Sequence, residues 1–183
     1  MNVVTIRIYL RSTSFNFPSN SKKQINYSRP FDILFIKDQS LPWNKSTIFE
    51  EIESFGILAG EDNGNKVYVG RVIDKDGNFV PAKIIPALKS SFYVYNDEEE
   101  ESDQFDFLDH CNDFHWVRSA DANLDEAAEI SGQCIGRGTY NGNVIVGRID
   151  SSSKKLIGAY DGKAFELPSY DVLIYKSKGN KTL

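Results

Sequence analysis

The stretch NGNKVYVGRVID (63–74) recurs as NGNVIVGRID (141–150). Each line opens on Asn-Gly, a pair whose two residues both tolerate positive φ, and so each predicts a tight hairpin turn. After the turn, Val67 and Val69 in the first line, and Val144 and Val146 in the second, alternate with smaller or polar residues around a shared Val-Gly-Arg. That period of two is the mark of a β-strand. Duplication in a β-rich chain predicts two pseudo-equivalent lobes that complete one another's core, because neither buries its apolar face alone.

Working outward, Trp43 opens the unit that contains the first line and Trp116 the unit that contains the second. Short helix-like segments follow each tryptophan. In the first, Thr47 and Glu50 fit a capping box ahead of Ile52 and Phe55; in the second, Leu124, Ala127 and Ala128 sit at helical spacing. The units close similarly, on SFYVYNDEEEESDQFDFL and on LIGAYDGKAFELPSYDVLIY. The tryptophans are 73 residues apart, the two Val-Gly-Arg lines 77, and Leu108 and Leu173 only 65. The fall from 77 to 65 predicts that the second unit lacks a segment after Val-Gly-Arg. The expected organisation is an N-terminal β extension over 1–42, repeat one over 43–110, repeat two over 111–176 and a frayed tail over 177–183. Within the extension, Val4 to Leu10 and FDILFIKD (31–38) read as strands separated by a Ser/Asn/Pro-rich loop.

Composition excludes several classes. With 40% hydrophobic residues and 13% aromatics the chain is globular in make-up. Its net charge of −5 and the lack of a dense Lys/Arg stripe predict no nucleic-acid partner. No run approaches 18 apolar residues, so no membrane span is expected. MNVVTIRIYLRS is broken by Arg7 and Arg11 and makes a poor secretory leader. Cytoplasmic residence follows as the expectation, with Cys111 and Cys134 reduced.

The segment expected in the first unit alone, DGNFVPAKIIPALKSS (76–91), carries Lys83 between Pro81 and Pro86. Two prolines predict a stiff loop with the lysine near its apex. A lone lysine on a loop is by default a solvated one. Asp62, in the AGED turn (59–62), supplies the second polar group that changes this reading. A carboxylate beside an ammonium presents acceptors and donors together, the complement of vicinal sugar hydroxyls. The acidic run DEEEESDQFDFLD (97–109) lacks EF-hand ligand spacing and reads as self-repelling charge on an exposed loop. His110, Cys111 and His115 match no zinc spacing, and no nucleophile motif accompanies them, so they read as structural and no enzyme is expected. Trp43 and Trp116 read as core anchors, with Arg71 and Arg148 pairing carboxylates within their lobes.

In order, Trp43, AGED (59–62), VYVGR (67–71), VPAK (80–83), YVY (93–95) and FDFL (105–108) resemble the DM-nine repeat family, and Trp116, VIVGR (144–148), AYDGK (159–163) and SYDVL (169–173) resemble a second copy. The resemblance runs from Trp43 to Tyr175. It implies an all-β, pseudo-twofold, β-sandwich-like domain of two tandem degenerate repeats, often dimeric, with at most short helices. It also implies a non-catalytic lectin-like function, since studied members include mannose-binding proteins of innate recognition. The family's sugar-binding aspartate and lysine fall on Asp62 and Lys83. In the second copy Thr139 occupies the region of the aspartate, which implies one site per chain.

The function expected from the sequence is therefore a carbohydrate-binding module for mannose-type glycans, needing no cofactor or metal, and a homodimer for avidity. The alternative is a protein-interaction or structural domain on the same scaffold. Asp62→Ala and Lys83→Ala are each expected to abolish most binding while leaving the melting temperature nearly unchanged.

Overall fold

The computed structural model describes residues 41–45, 48–110 and 114–175. The expected N-terminal extension up to residue 40, Thr47, Cys111 and the tail lie outside the described residues. Among the described residues fourteen strands dominate: β1 Trp43–Asn44, β2 Leu58–Asp62, β3 Asn65–Ile73, β4 Phe79–Ile85, β5 Ser90–Tyr95, β6 Glu98–Ser102, β7 Asp106–Leu108, β8 Phe114–Arg118, β9 Glu129–Ile130, β10 Gln133–Tyr140, β11 Asn143–Asp150, β12 Lys155–Tyr160, β13 Lys163–Leu167 and β14 Asp171–Tyr175. One short helix, α1, spans Phe49–Phe55. Its N-cap is Ile48, which makes no side-chain cap; the expected Thr47–Glu50 capping box involves a residue outside the described ones. Leu124–Glu126 is a single 3₁₀ turn, begun by the Asn123 side chain accepting from the Asp125 amide.

All pairings are antiparallel, and the sheet order is β1-β7-β3-β4-β5-β6-β13-β12-β11-β10-β14-β8, with β2 added on β3 and β9 on β10. Read from either end, the order is the same motif. The halves join where Glu98 of β6 pairs with Lys163 of β13, and the sheet curls so that β4 lies against β11 and β5 against β12. Between them, one core draws Ile57, Val67, Val69, Ile85 and Leu108 from the first half and Ala128, Ile130, Ile135, Val146 and Leu173 from the second. This is the all-β, pseudo-twofold architecture that duplication requires. On the outer faces, Ile52 of α1 covers Tyr68, Ile84 and Phe107; in the second half Leu124 and Ala127 cover Ile149, Leu156, Val172 and Ile174.

Residue pairing corrects the alignment of the two copies. Gly70 and Arg71 of β3 pair with Phe107 and Asp106; their structural counterparts, pairing with Val172 and Asp171, are Gly136 and Arg137 of β10. The next strand inward in the first half places Ala82 opposite Gly70, and in the second half Gly147 opposite Gly136. Pro81-Ala82-Lys83 thus corresponds to Val146-Gly147-Arg148, and Leu108 to Leu173, both at a spacing of 65 residues, one fewer than the 66 between Arg71 and Arg137. No segment is missing after Val-Gly-Arg. The doubled line lies on strands that are not equivalent, β3 in one copy and β11 in the other. Glycine recurs there because each position has a neighbour too close for a Cβ: one on Gly70 would meet the Ile84 side chain at 2.5 Å, and one on Gly147 would run into the Ile157 carbonyl oxygen of the paired strand. Similar local packing wrote similar short sequences.

The β11–β12 turn is held by Asp150, whose Oδ1 accepts from the Ser152 hydroxyl and from the Ser152 and Ser153 amides. The Ser152 hydroxyl above all, with those two amides, holds the carboxyl down from 3.8 to about 2. A depressed carboxylate contributes its stability fully above its unfolded value and loses it as pH falls through the folded one. The contribution of Asp150 is therefore lost between about pH 4 and pH 2. Asp150→Asn is expected to be less stable than wild type at pH 5, with the gap narrowing at pH 2.5. Urea midpoints at the two pH values measure this, and a gap that does not change with pH would be the contrary result.

Candidate functional site at the junction of the two halves

Asp62 ends β2, immediately before Asn63 and Gly64, whose φ values of 49° and 77° make the tight turn expected of Asn-Gly. Lys83 lies within β4, paired with Val69 on one side and Phe92 on the other. The expected loop around it is corrected to a strand. Pro81 is tolerated because the β4–β5 ladder stops at Ala82.

The structure brings Asp62 and Lys83 together: Nζ is 3.0 Å from Asp62 Oδ2, and the residues are 5% and 3% exposed. A third group, absent from the sequence reading, completes the cluster. Glu99 Oε1 lies 3.2 Å from the same Nζ, and Glu99 Oε2 accepts from the Gly162 amide of the second half at 2.8 Å. The acidic run is corrected accordingly. It forms β6 and β7, and period-two alternation turns Glu99 inward. The ammonium sits 5.2 Å from the Phe92 ring and 5.4 Å from that of Tyr160. Asn143 ties the seam, accepting from the Asn63 amide at 2.8 Å and donating to the Tyr160 hydroxyl at 2.7 Å.

One cation thus faces two carboxylates in a nearly dry setting. Glu99 Oε1 is at ion-pair distance from Lys83 yet accepts no hydrogen bond among the described residues. Such a buried acceptor is costly unless a donor reaches it. The cluster is therefore set up to receive hydroxyl or amine donors, with the two rings as its apolar walls.

The second copy is built differently from expectation. Arg148, facing Ile135 and Ile157, stands where Lys83 stands, so the cation is kept. The carboxylate is lost because the β9–β10 hairpin turns early, at Ser131 and Gly132, with Ile130 opposite Gln133. Thr139 is not the aspartate's counterpart, since it pairs with Val144 on β10–β11. Of the two expected arginine–carboxylate pairs, that of Arg71 is found and that of Arg148 passes to Arg137. Arg71 bonds Asp106 at 2.9 Å and stacks on Trp43, and the second-half equivalent is Arg137 with Asp171 and Trp116. The tryptophans do pack against the central core, as expected of anchors. His110 stacks on Phe55 and its Nδ1 lies 2.7 Å from the Phe55 carbonyl oxygen; His115 pairs with Ile174 on β8.

The DM9 repeat family model matches residues 60–133, a window that contains Asp62, Lys83 and Glu99. Among solved structures the chain is similar to the nematode sperm cell motility protein MFP2B, with a TM-score of 0.51 and 14% identity. That likeness covers 75% of this chain and 44% of the MFP2B chain, so the present chain corresponds to under half of that protein. At this identity it speaks for the fold alone. No curated protein matches the sequence. Among the described residues no helix is long and apolar enough to cross a membrane. Over residues 60–133, two-fifths of its length, the chain is similar to the DM9 repeat.

Proposed function

We propose that this chain is a non-catalytic, lectin-like module that binds mannose-type glycans in a recognition or defence role, at the cluster of Asp62, Lys83 and Glu99. The observation that carries the reading is the excess acceptor capacity of that cluster: two carboxylates around one ammonium, with Glu99 Oε1 buried and receiving no hydrogen bond among the described residues. Vicinal sugar hydroxyls supply the missing donors, and Lys83 gives a hydrogen bond to a hydroxyl or ring oxygen. Phe92 and Tyr160 offer the apolar faces on which a pyranose ring packs. A small site of this type binds with Kd on the order of 1 mM to 1 μM, and pairing two chains as a homodimer raises avidity without new contacts.

Glu99→Gln preserves shape and leaves the Lys83–Asp62 bridge in place. It is expected to weaken mannose binding about tenfold, equivalent to about 1.4 kcal/mol, with little change in melting temperature. Calorimetric titration of wild type and variant reads this directly. Folded wild-type protein that binds no mannose-type glycan at about 10 mM, well above the expected Kd range, would refute the lectin reading. The competing assignment, a protein-interaction or structural domain, draws on the near-complete burial and mutual pairing of Asp62 and Lys83. Absent glycan binding together with a strongly destabilised Lys83→Ala would favour it.

A further inference from the structure

Each half carries a cleft beside its stacked arginine, and corresponding residues line the two. In the first half Lys45, Arg71, Ile73, Phe79, Phe105 and Asp106 surround about 230 Å³. In the second half their counterparts Arg118, Arg137, Thr139, Val144, Tyr170 and Asp171 surround about 520 Å³. The difference has a specific cause. The Arg71 guanidinium has Trp43 at 4.6 Å and Phe79 at 4.1 Å. Arg137 has Trp116 at 4.6 Å, but Val144 replaces Phe79 and Thr139 replaces Ile73. The position taken by the Phe79 ring in one half is vacated in the other.

The electrostatics of the enlarged cleft are equally specific. Arg137 is committed in its own plane: Nε and Nη2 both donate to Asp171 Oδ2 at 3.1 Å, and Nη1 donates to the Ala59 carbonyl at 2.7 Å. Its π-face remains for stacking. The charge of Asp171 is thereby matched, and Arg118 brings a second cation with no ion-pair partner among the described residues. Hydroxyls of Ser119, Thr139 and Ser169 border the same space.

We infer that this cleft is a second ligand site, independent of the Asp62–Lys83–Glu99 cluster, for a small molecule made of an aromatic ring bearing an acidic group. The ring stacks on the exposed face of Arg137, as Phe79 does on Arg71, and the acid pairs with Arg118. A volume of this size suits such a ligand.

The test is a titration of isotopically labelled protein with phenylacetate, followed by amide and Arg Nε–H resonances. Phenylacetate is expected to shift Arg137, Thr139 and Ser169 saturably, while cyclohexylacetate, without the π-face, and phenylacetamide, without the charge, bind at least about tenfold more weakly. Val144→Phe, which restores the first half's filling, and Thr139→Trp, which fills the cleft from an exposed position, are each expected to abolish the shifts. Arg118→Ala is expected to make phenylacetate no better than its amide. Phe79→Val is expected to create a new response at Arg71. Equal binding of cyclohexylacetate, no response at the cleft, or undiminished binding in a folded Thr139→Trp protein would overturn the inference. Mannose binding by the Thr139→Trp and Arg118→Ala proteins is the control that separates this site from the junction cluster, because neither residue contributes a contact to Asp62, Lys83 or Glu99.

Discussion

Lys83→Ala is expected to destabilise the fold by about 3–5 kcal/mol, the range for removing one partner of a buried ion pair. The ammonium is shared by Asp62 at 3.0 Å and Glu99 at 3.2 Å, and the lysine side chain is 4% exposed. Removing it leaves two carboxylates facing each other with no cation between them. Asp62→Ala is expected to cost less, because Lys83 keeps Glu99 as its partner and only the Asn63 side-chain bond is lost beside it. At about 2–4 °C per kcal/mol for a chain of this size, Lys83→Ala should lower the melting temperature by roughly 10 °C. The structure thus replaces the expectation from sequence of an almost unchanged melting temperature. Thermal unfolding of the two single variants checks the order. Lys83→Ala as stable as wild type would mean that the cluster is solvated.

Gly147→Ala should rank beside it, at about 3 kcal/mol, the upper end of the usual range for overpacking. A Cβ there would lie 2.0 Å from the Ile157 carbonyl oxygen and 2.8 Å from the Gly158 Cα. Both are backbone atoms of the paired strand, so no rotamer change relieves the contact, and the Gly147–Gly158 pair must separate. The first copy holds Ala82 at the corresponding place, opposite Tyr93, and its methyl is accommodated. The reciprocal Ala82→Gly removes one buried methyl and adds the backbone entropy of a strand glycine, and should cost about 1–2 kcal/mol. Chemical denaturation of both variants is the measurement; equal effects would show that strand propensity, not contact, governs the position.

The fold was legible where the chain carries its own local instruction. Period-two valines became β3 and β11, and Asn63-Gly64 and Asn141-Gly142 became turns with positive φ at both residues. Asp62 and Lys83 were legible as a pair through chemistry and family resemblance. Glu99 was not, because glutamate has low strand propensity and four in a row resemble a solvated loop. Only pairing with β5 and β13 makes β6 a strand and turns Glu99 towards Lys83. Asn143 and Tyr160 were hidden for another reason: they come from the other half and reach the site through the curl of the sheet.

By itself, then, the sequence determined that the chain is all-β, that it is duplicated, and that one aspartate and one lysine stand out. Tertiary structure decided which strands correspond. The glycine of each Val-Gly-Arg faces a neighbour too close for a Cβ, so matching letters located similar packing rather than equivalent positions. Registry across a sheet is set by hydrogen-bonded partners distant in the chain, and Arg71–Asp106 and Arg137–Asp171 are the pairs that show it. Those partners moved the counterpart of Lys83 to Arg148, reduced a supposed deletion to the one-residue fall from 66, between Arg71 and Arg137, to 65, between Lys83 and Arg148, and set Val144 in the second cleft where Phe79 stands in the first.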